Sequence, residues 1–339
     1  MVENVKKISN SDVQLFTTIA RMNQTDLLRL MRNFLWKHYQ PEKIVATSKF
    51  ILCEGTEPIM LVAHLDTVFK THPIHIYLDR QYNVMWSPEG LGADDRAGVF
   101  AIIKIIQAGY RPHICLTTDE ECGGIGASAL IKKYPKPIFD IKYIIQLDRQ
   151  GANDCVFYSC TNFTFQSFIE QYNFITEWGT FSDISVICPQ WKIAGVNLSV
   201  GYYNEHSQIE TLHFNELYTT IQQVQKMIED AESAPSFQYI PSKYADYLNY
   251  IYHGYPMEED YYDYVNKTCK CDHCGQIFLE EDVIPVQDKQ TNQQLFYCIK
   301  CVDENVNWCE GCGEAFKTTN KNDKYCPTCQ KLFQQKVIL

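Results

Sequence analysis

Four short apolar runs punctuate the first 234 residues, and each leads within a few positions to acids or a histidine. They occupy residues 59–63, 113–116, 143–147 and 196–200. Segments with helical spacing lie among them, at 97–108 and 126–134, with a last helix from about Asn215 that carries Leu217, Ile221, Val224 and Ile228 on one face. An earlier helix is expected over 25–39, opened by a Thr cap and marked by Leu27, Leu28, Met31, Phe34 and Leu35. Strands apolar along their whole length belong to sheets covered on both faces. Alternation of such strands with helices predicts an α/β fold of three layers, a central and mostly parallel sheet flanked by helices.

In open α/β sheets a ligand sits beyond the carboxyl ends of the strands, and that is where the polar residues of this chain collect. His64 and Asp66 follow the first run, Asp119, Glu120 and Glu121 the second, Asp148 the third, and Glu205, His206 and Ser207 the fourth. Gly92-Ala-Asp94-Asp95-Arg-Ala-Gly98 adds an acidic pair at a helix start. Taken singly, each has a plain structural explanation: a hydrogen-bonded histidine, a helix cap, a solvated turn. Together they form an edge too negative to stand bare, because crowded carboxylates take up protons or bind cations. Mixed nitrogen and oxygen donors suit zinc, with manganese or cobalt as substitutes. Two metals about 3.5 to 4 Å apart, sharing a carboxylate, would clamp a water and a scissile carbonyl.

Over residues 20–232 these motifs resemble the co-catalytic di-zinc exopeptidases, the superfamily of tripeptidase T, carboxypeptidase G and bacterial leucyl aminopeptidases. AHLDTV is similar to the family's His-x-Asp motif, GADDRAG to GADDKAG, and TTDEECGGIGA to a TPDEEIG segment; Asp148 matches the third zinc carboxylate, and His206-Ser207 the closing His-Ser. The resemblance implies one zinc on His64, Asp94 and Asp148 and a second on Asp94, Glu121 and His206, with Asp94 bridging. It implies that Asp66 orients His64, and that Glu120 is the general base, taking a proton from the attacking water and giving it to the leaving amine. Two departures shape the expected activity. Asp148 and His206 are only 57 residues apart in sequence, too few for the lid domain that grips a substrate carboxylate in lidded members, so the layout resembles lidless aminopeptidases. Arg149-Gln150-Gly151 replaces a Gly-Gly pair, so the substrate-facing surface beside the metal should differ. Asp183 would either hold a substrate amine or sit in a structural turn, and Tyr202 and Tyr203 would either donate to an oxyanion or pack as core aromatics.

The last part of the chain is of another kind. Of fifteen cysteines, six are scattered through the first 265 residues and nine crowd into the last 74. Four CxxC pairs, Cys271/Cys274, Cys298/Cys301, Cys309/Cys312 and Cys326/Cys329, are separated by 23, 7 and 13 residues. Two such knuckles complete a tetrahedral zinc site. Sequential pairing would give two zinc ribbons over 266–339; cross-braced pairing is the alternative, and Cys269 and His273 are spare ligands. Between the two parts, residues 235–265 hold nine tyrosines and three prolines, with one lysine against five acids, the composition of a linker that packs its tyrosines on a neighbouring surface.

Composition limits the rest. With 45% hydrophobic and 21% charged residues, the chain is not of disordered type. It lacks the roughly 18–20-residue apolar run of a membrane span. Its N-terminus lacks an apolar signal core, so a reducing cytoplasmic location is expected, where cysteines favour metal over disulfides. A net charge of −11 argues against nucleic acid as a partner, and the tail, with nine lysines, no arginine and ten acids, offers no basic face. The expected activity is a metal-dependent exopeptidase acting on short peptides, with the ribbons serving a protein partner, self-association or capping. The alternatives are a deacylase or amidohydrolase of N-acyl or isopeptide bonds, and an adaptor whose peptidase fold only binds.

Overall fold

The computed structural model describes residues 7–241 and, further on, 268–279, 283–288, 291, 293–298, 301–302, 306–310, 315–318, 323–327 and 329–330. The chain divides into two compact units, Met1–His253 and Gly254–Leu339.

In the first unit the helices are α1 (Asn10–Ala20), α2 (Gln24–His38), α3 (Ala93–Gln107), α4 (Ile125–Lys133), α5 (Phe163–Glu170), α6 (Asp183–Trp191) and α7 (Phe214–Asp230). The strands are β1 (Ile44–Ala46), β2 (Phe50–Cys53), β3 (Glu57–His64), β4 (Tyr77–Asp79), β5 (Val84–Trp86), β6 (Pro112–Thr117), β7 (Tyr143–Arg149), β8 (Asp154–Val156), β9 (Ile175–Thr176), β10 (Gly195–Ser199), β11 (Tyr202–Tyr203) and β12 (Thr211–His213). An eight-stranded sheet runs β1-β2-β6-β3-β7-β10-β8-β9. Its four central strands are mutually parallel, and they contain the four apolar runs. Alternation along β3 explains the layering: Ile59, Leu61 and Ala63 face a core shared with α1, α2, α3 and α7, while Met60 and Val62 face one shared with α4 and α6. The three-layer α/β expectation holds.

Three local features differ from the sequence expectation. Helix α2 is capped by Asn23, whose side chain accepts the Asp26 N–H at 2.9 Å, so the Asn23 amide and not Thr25 satisfies the first turn. A second, antiparallel sheet, β11-β12-β5-β4, carries His206 on the loop between β11 and β12; its two- and three-residue strands are too short for any periodicity to reveal. Packing of the first unit also continues past residue 234. Phe237 is buried against Tyr143, Phe165 and Phe168, and Thr161 N–H donates to Ile240 O at 2.8 Å. The rest of the tyrosine-rich stretch, 242–265, lies outside the described residues.

The second unit contains a β13 (Thr268–Lys270) and β14 (Ile277–Leu279) hairpin. A four-stranded sheet, β16-β15-β18-β17, joins β15 (Val283–Asp288), β16 (Gln294–Cys298), β17 (Asn307–Trp308) and β18 (Ala315–Lys317). Strand β15 pairs antiparallel with β16 and parallel with β18, so the first and second pairs of knuckles share one sheet.

Candidate metal centres

Parallel packing of β6, β3 and β7 brings their carboxyl ends to one edge. The register pairs Val62 with Gln146 and His64 with Thr117; continued by two residues, it sets His64 level with Asp148. Helix α3 approaches β7 so closely there that a Cβ on Gly98 would stand 2.0 Å from Leu147 O, so only glycine admits this contact. That approach delivers Asp94 between the two histidines. Its Oδ1 lies 3.1 Å from His64 Nε2, and its Oδ2 lies 3.1 Å from His206 Nε2. Asp148 Oδ1 lies 3.4 Å from His64 Nε2, and Glu121 Oε1 lies 3.0 Å from His206 Nε2. Two groups result, His64–Asp94–Asp148 and Asp94–Glu121–His206, each with its donor atoms within 4.8 Å of one another. Asp94 belongs to both.

Surrounding groups hold these side chains in place. Asp66 meets His64 Nδ1 at 3.2 Å through Oδ1, and its two oxygens accept the Glu120 and Glu121 N–H groups at 3.0 Å each. One carboxylate thus orients a histidine and anchors the turn that bears both glutamates. Asp119, at φ +56°, starts that turn and is held by Gln24 and by Lys49 Nζ at 2.7 Å. Asp148 Oδ2 accepts from Gln146 Nε2 and Ser182 Oγ, and its Oδ1 from Tyr202 Oη at 3.3 Å. Tyr202 is buried and spent on that bond, and Tyr203 donates to Glu216 at 2.6 Å, away from any oxyanion. Asp183 is wholly buried, with Oδ2 accepting from Thr117 Oγ1 and Oδ1 left without a hydrogen-bond partner.

Two residues that the motif reading passed over complete the arrangement. Buried Glu210 accepts the backbone N–H groups of Gly92, Ala93 and Asp94, which forms the cradle that presents Asp94. Asp95 accepts the His64 N–H at 3.1 Å and the Gly98 N–H at 2.9 Å, tying α3 to β3. Nothing in the sequence marks Glu210 beyond its place three residues after His206-Ser207.

The electrostatics are those of a cluster that requires positive charge. Burial raises Asp148 to about 7 and Glu120 to about 9, with neighbouring carboxylates adding to both. Burial also works against Asp94, but hydrogen bonds from His206 and His64 outweigh it and hold its carboxyl low. Hydrogen bonds to Asp94 and Glu121 push His206 up to about 11. Two imidazoles and three carboxylates converging in this way fit a pair of divalent cations. Asp94, Glu121, Asp148 and His206 line a cavity of about 280 Å³, whose wall also includes Glu120, Arg149, Gln150, Thr180 and Glu205.

In the second unit the thiols of Cys271, Cys274, Cys298 and Cys301 form one group, and those of Cys309, Cys326 and Cys329 another. Cys312 lies outside the described residues. This grouping follows sequential pairing, first knuckle with second. Cys298 N–H points to Cys271 Sγ at 3.4 Å and Cys326 N–H to Cys309 Sγ at 3.2 Å, contacts that favour thiolate over thiol. These clusters fit zinc-ribbon modules.

Residues 48–174 match the profile of Peptidase family M28. In fold the chain is similar to aminopeptidase PepT from Bacillus cereus, with a TM-score of 0.53, 14% identity, and coverage of 67% of this chain and 99% of that one. It is also similar to a tripeptidase from Staphylococcus aureus, with a TM-score of 0.53, 12% identity, and coverage of 68% and 100%. At such identities the likeness is one of fold. No curated protein matches the sequence. Among the described residues no helix is long and apolar enough to cross a membrane.

Proposed function

We propose that the first unit is a metallopeptidase of the co-catalytic exopeptidase superfamily, an aminopeptidase-like hydrolase of short peptides. The observation that carries the reading is the split of Asp94, one carboxylate oxygen toward each histidine group. His64, Asp94 and Asp148 would hold one zinc, and Asp94, Glu121 and His206 the other. When bound, the pair would polarise the scissile carbonyl and make a water acidic enough to attack near neutral pH.

The remaining work belongs to the chain's own residues. Asp66 fixes the His64 tautomer, leaving Nε2 to face the site. Glu120 lines the cavity beside both groups, and its burial raises its affinity for a proton. It would take the proton of the attacking water at a carboxylate oxygen, hold it out of bulk solvent and deliver it to the departing amine. Because Asp66 accepts both the Glu120 and Glu121 N–H groups, the base and a metal-holding residue keep a fixed spacing. The C-terminal unit would hold two structural zinc ions in thiolate sites, with the peptidase domain extending to about residue 241 and the ribbons over 266–339.

Glu120→Gln tests the mechanism. It should retain the metals while kcat on free-amine peptides falls by about 100-fold or more; full activity would refute the assigned base. Hydrolysis of N-blocked peptides in preference to free-amine ones would turn the reading toward a deacylase. Metal analysis of the full chain should find about four metals, two exchangeable and two retained in thiolate. Absence of the exchangeable pair would favour a binding role without catalysis.

A further inference from the structure

We propose that Arg149 sets the specificity of this site by receiving a carboxylate carried one residue beyond the scissile bond, which makes dipeptides, or short peptides with an acidic residue there, the substrate class. The inference rests on the peptidase reading above. Arg149 ends β7, directly after Asp148, and lines the same cavity as Asp94, Glu121 and His206. Its guanidinium donates from Nη2 to Trp178 O at 3.2 Å, which tethers the side chain. Its Nε is shut off from solvent and has no acceptor. Among the described residues no ion pair engages it; Asp154 is close enough to feel its charge but is not a salt-bridge partner.

A guanidinium is always charged, and its planar fork of N–H groups matches a carboxylate. Trp178 O takes one of these donors, and the N–H groups of the fork that reach the cavity are free to meet a carboxylate. Among the residues that line the cavity Arg149 is the one arginine or lysine, while Glu120, Glu121, Asp148 and Glu205 are acids, so it is the side chain there suited to pair with a substrate carboxylate. Reach agrees with this placement. Adjacent Cα atoms lie about 3.8 Å apart and an extended peptide advances about 3.3–3.6 Å per residue. A substrate whose carbonyl lies at the metal groups therefore keeps the next residue's carboxylate within the cavity that Arg149 lines. A cavity of about 280 Å³ also falls at the small end for ligand sites, which suits a substrate of few residues.

Two matched pairs of substrates, given to the full-length metal-loaded protein, test this and separate the two sources of a carboxylate. Ala-Ala against Ala-Ala amide isolates the terminal carboxylate; Ala-Glu amide against Ala-Gln amide isolates a side-chain carboxylate. We expect kcat/KM to favour the carboxylate-bearing member of at least one pair by about tenfold or more. Arg149→Met should bring that ratio close to one, and Arg149→Lys should leave it intermediate, with metal content and circular dichroism unchanged in both. A wild-type ratio near one in both pairs, or a ratio that survives in Arg149→Met, overturns the inference alone. Failure to hydrolyse any of the four overturns the peptidase reading and this inference with it.

Discussion

Asp94 shows how much one side chain must satisfy here, and its neighbours show how that is arranged. A carboxylate that serves two cation sites has to present one oxygen to each, so its backbone must be held. Glu210 does this through three consecutive N–H groups, and burial with these bonds leaves its own pKa near 7. Glu210→Ala should lower affinity for the exchangeable metals by about 10- to 100-fold, as loss of a supporting shell does, measurable by competition with a chelator. His113 illustrates a different constraint. Its Nδ1 accepts the Gly55 N–H at 3.0 Å, so its Nε2–H faces Asp140 O at 3.1 Å and the ring is neutral. Burial lowers its pKa below the usual histidine value of about 6.5; the unfolded chain therefore binds the proton more readily, and stability rises with pH across that interval. His113 contributes stability above about pH 6.5 that is lost as pH falls toward its folded value. Denaturant midpoints at pH 7.5 and 5.5 should differ more in the wild type than in His113→Gln; equal differences would exclude this role.

At the level of elements, the parallel strands were legible because a doubly covered strand is mostly apolar along a short continuous run, as β3, β6, β7 and β10 each are. Their ends were legible too, since polar residues directly after such runs have few places to go but the sheet edge. What escaped notice was the correction at that edge. The β7–β10 register shifts between Asn197 and Ser199, and there the Asn197 side chain replaces the ladder. Its Oδ1 accepts the Asp148 N–H at 2.9 Å and its Nδ2 donates to Asp148 O at 2.7 Å. A lone asparagine within an apolar strand gives no hint that it pairs with a residue 49 positions away. Asn197→Leu should cost about 1–3 kcal/mol, the penalty for buried unmet backbone groups, and should reduce activity by displacing Asp148; an unchanged denaturation midpoint would show that water replaces the amide.

Across the whole molecule, the two units offer metal two kinds of site. Nitrogen and oxygen ligands in the first suit a site that exchanges with solvent, whereas thiolates in the second contribute folding energy directly. Cys298→Ser should therefore remove about one tightly held metal per chain and destabilise the second unit, while the exchangeable pair stays bound, as metal analysis before and after chelation would reveal. Loss of every metal in that variant would show that the units do not fold independently.

By itself the sequence determined the α/β class, the edge at which chemistry collects, the two histidines and their carboxylates, and the cysteine knuckles. These depend on local burial pattern and on ligand spacing, which a linear chain displays. Only the tertiary structure decided that Tyr202 is occupied by an internal hydrogen bond, that Glu210 cradles Asp94, that a second small sheet carries His206, and that Arg149 lines the cavity. Each of those depends on which groups meet across tens of residues. A polar side chain looks the same in sequence whether the fold satisfies it or leaves it for a ligand.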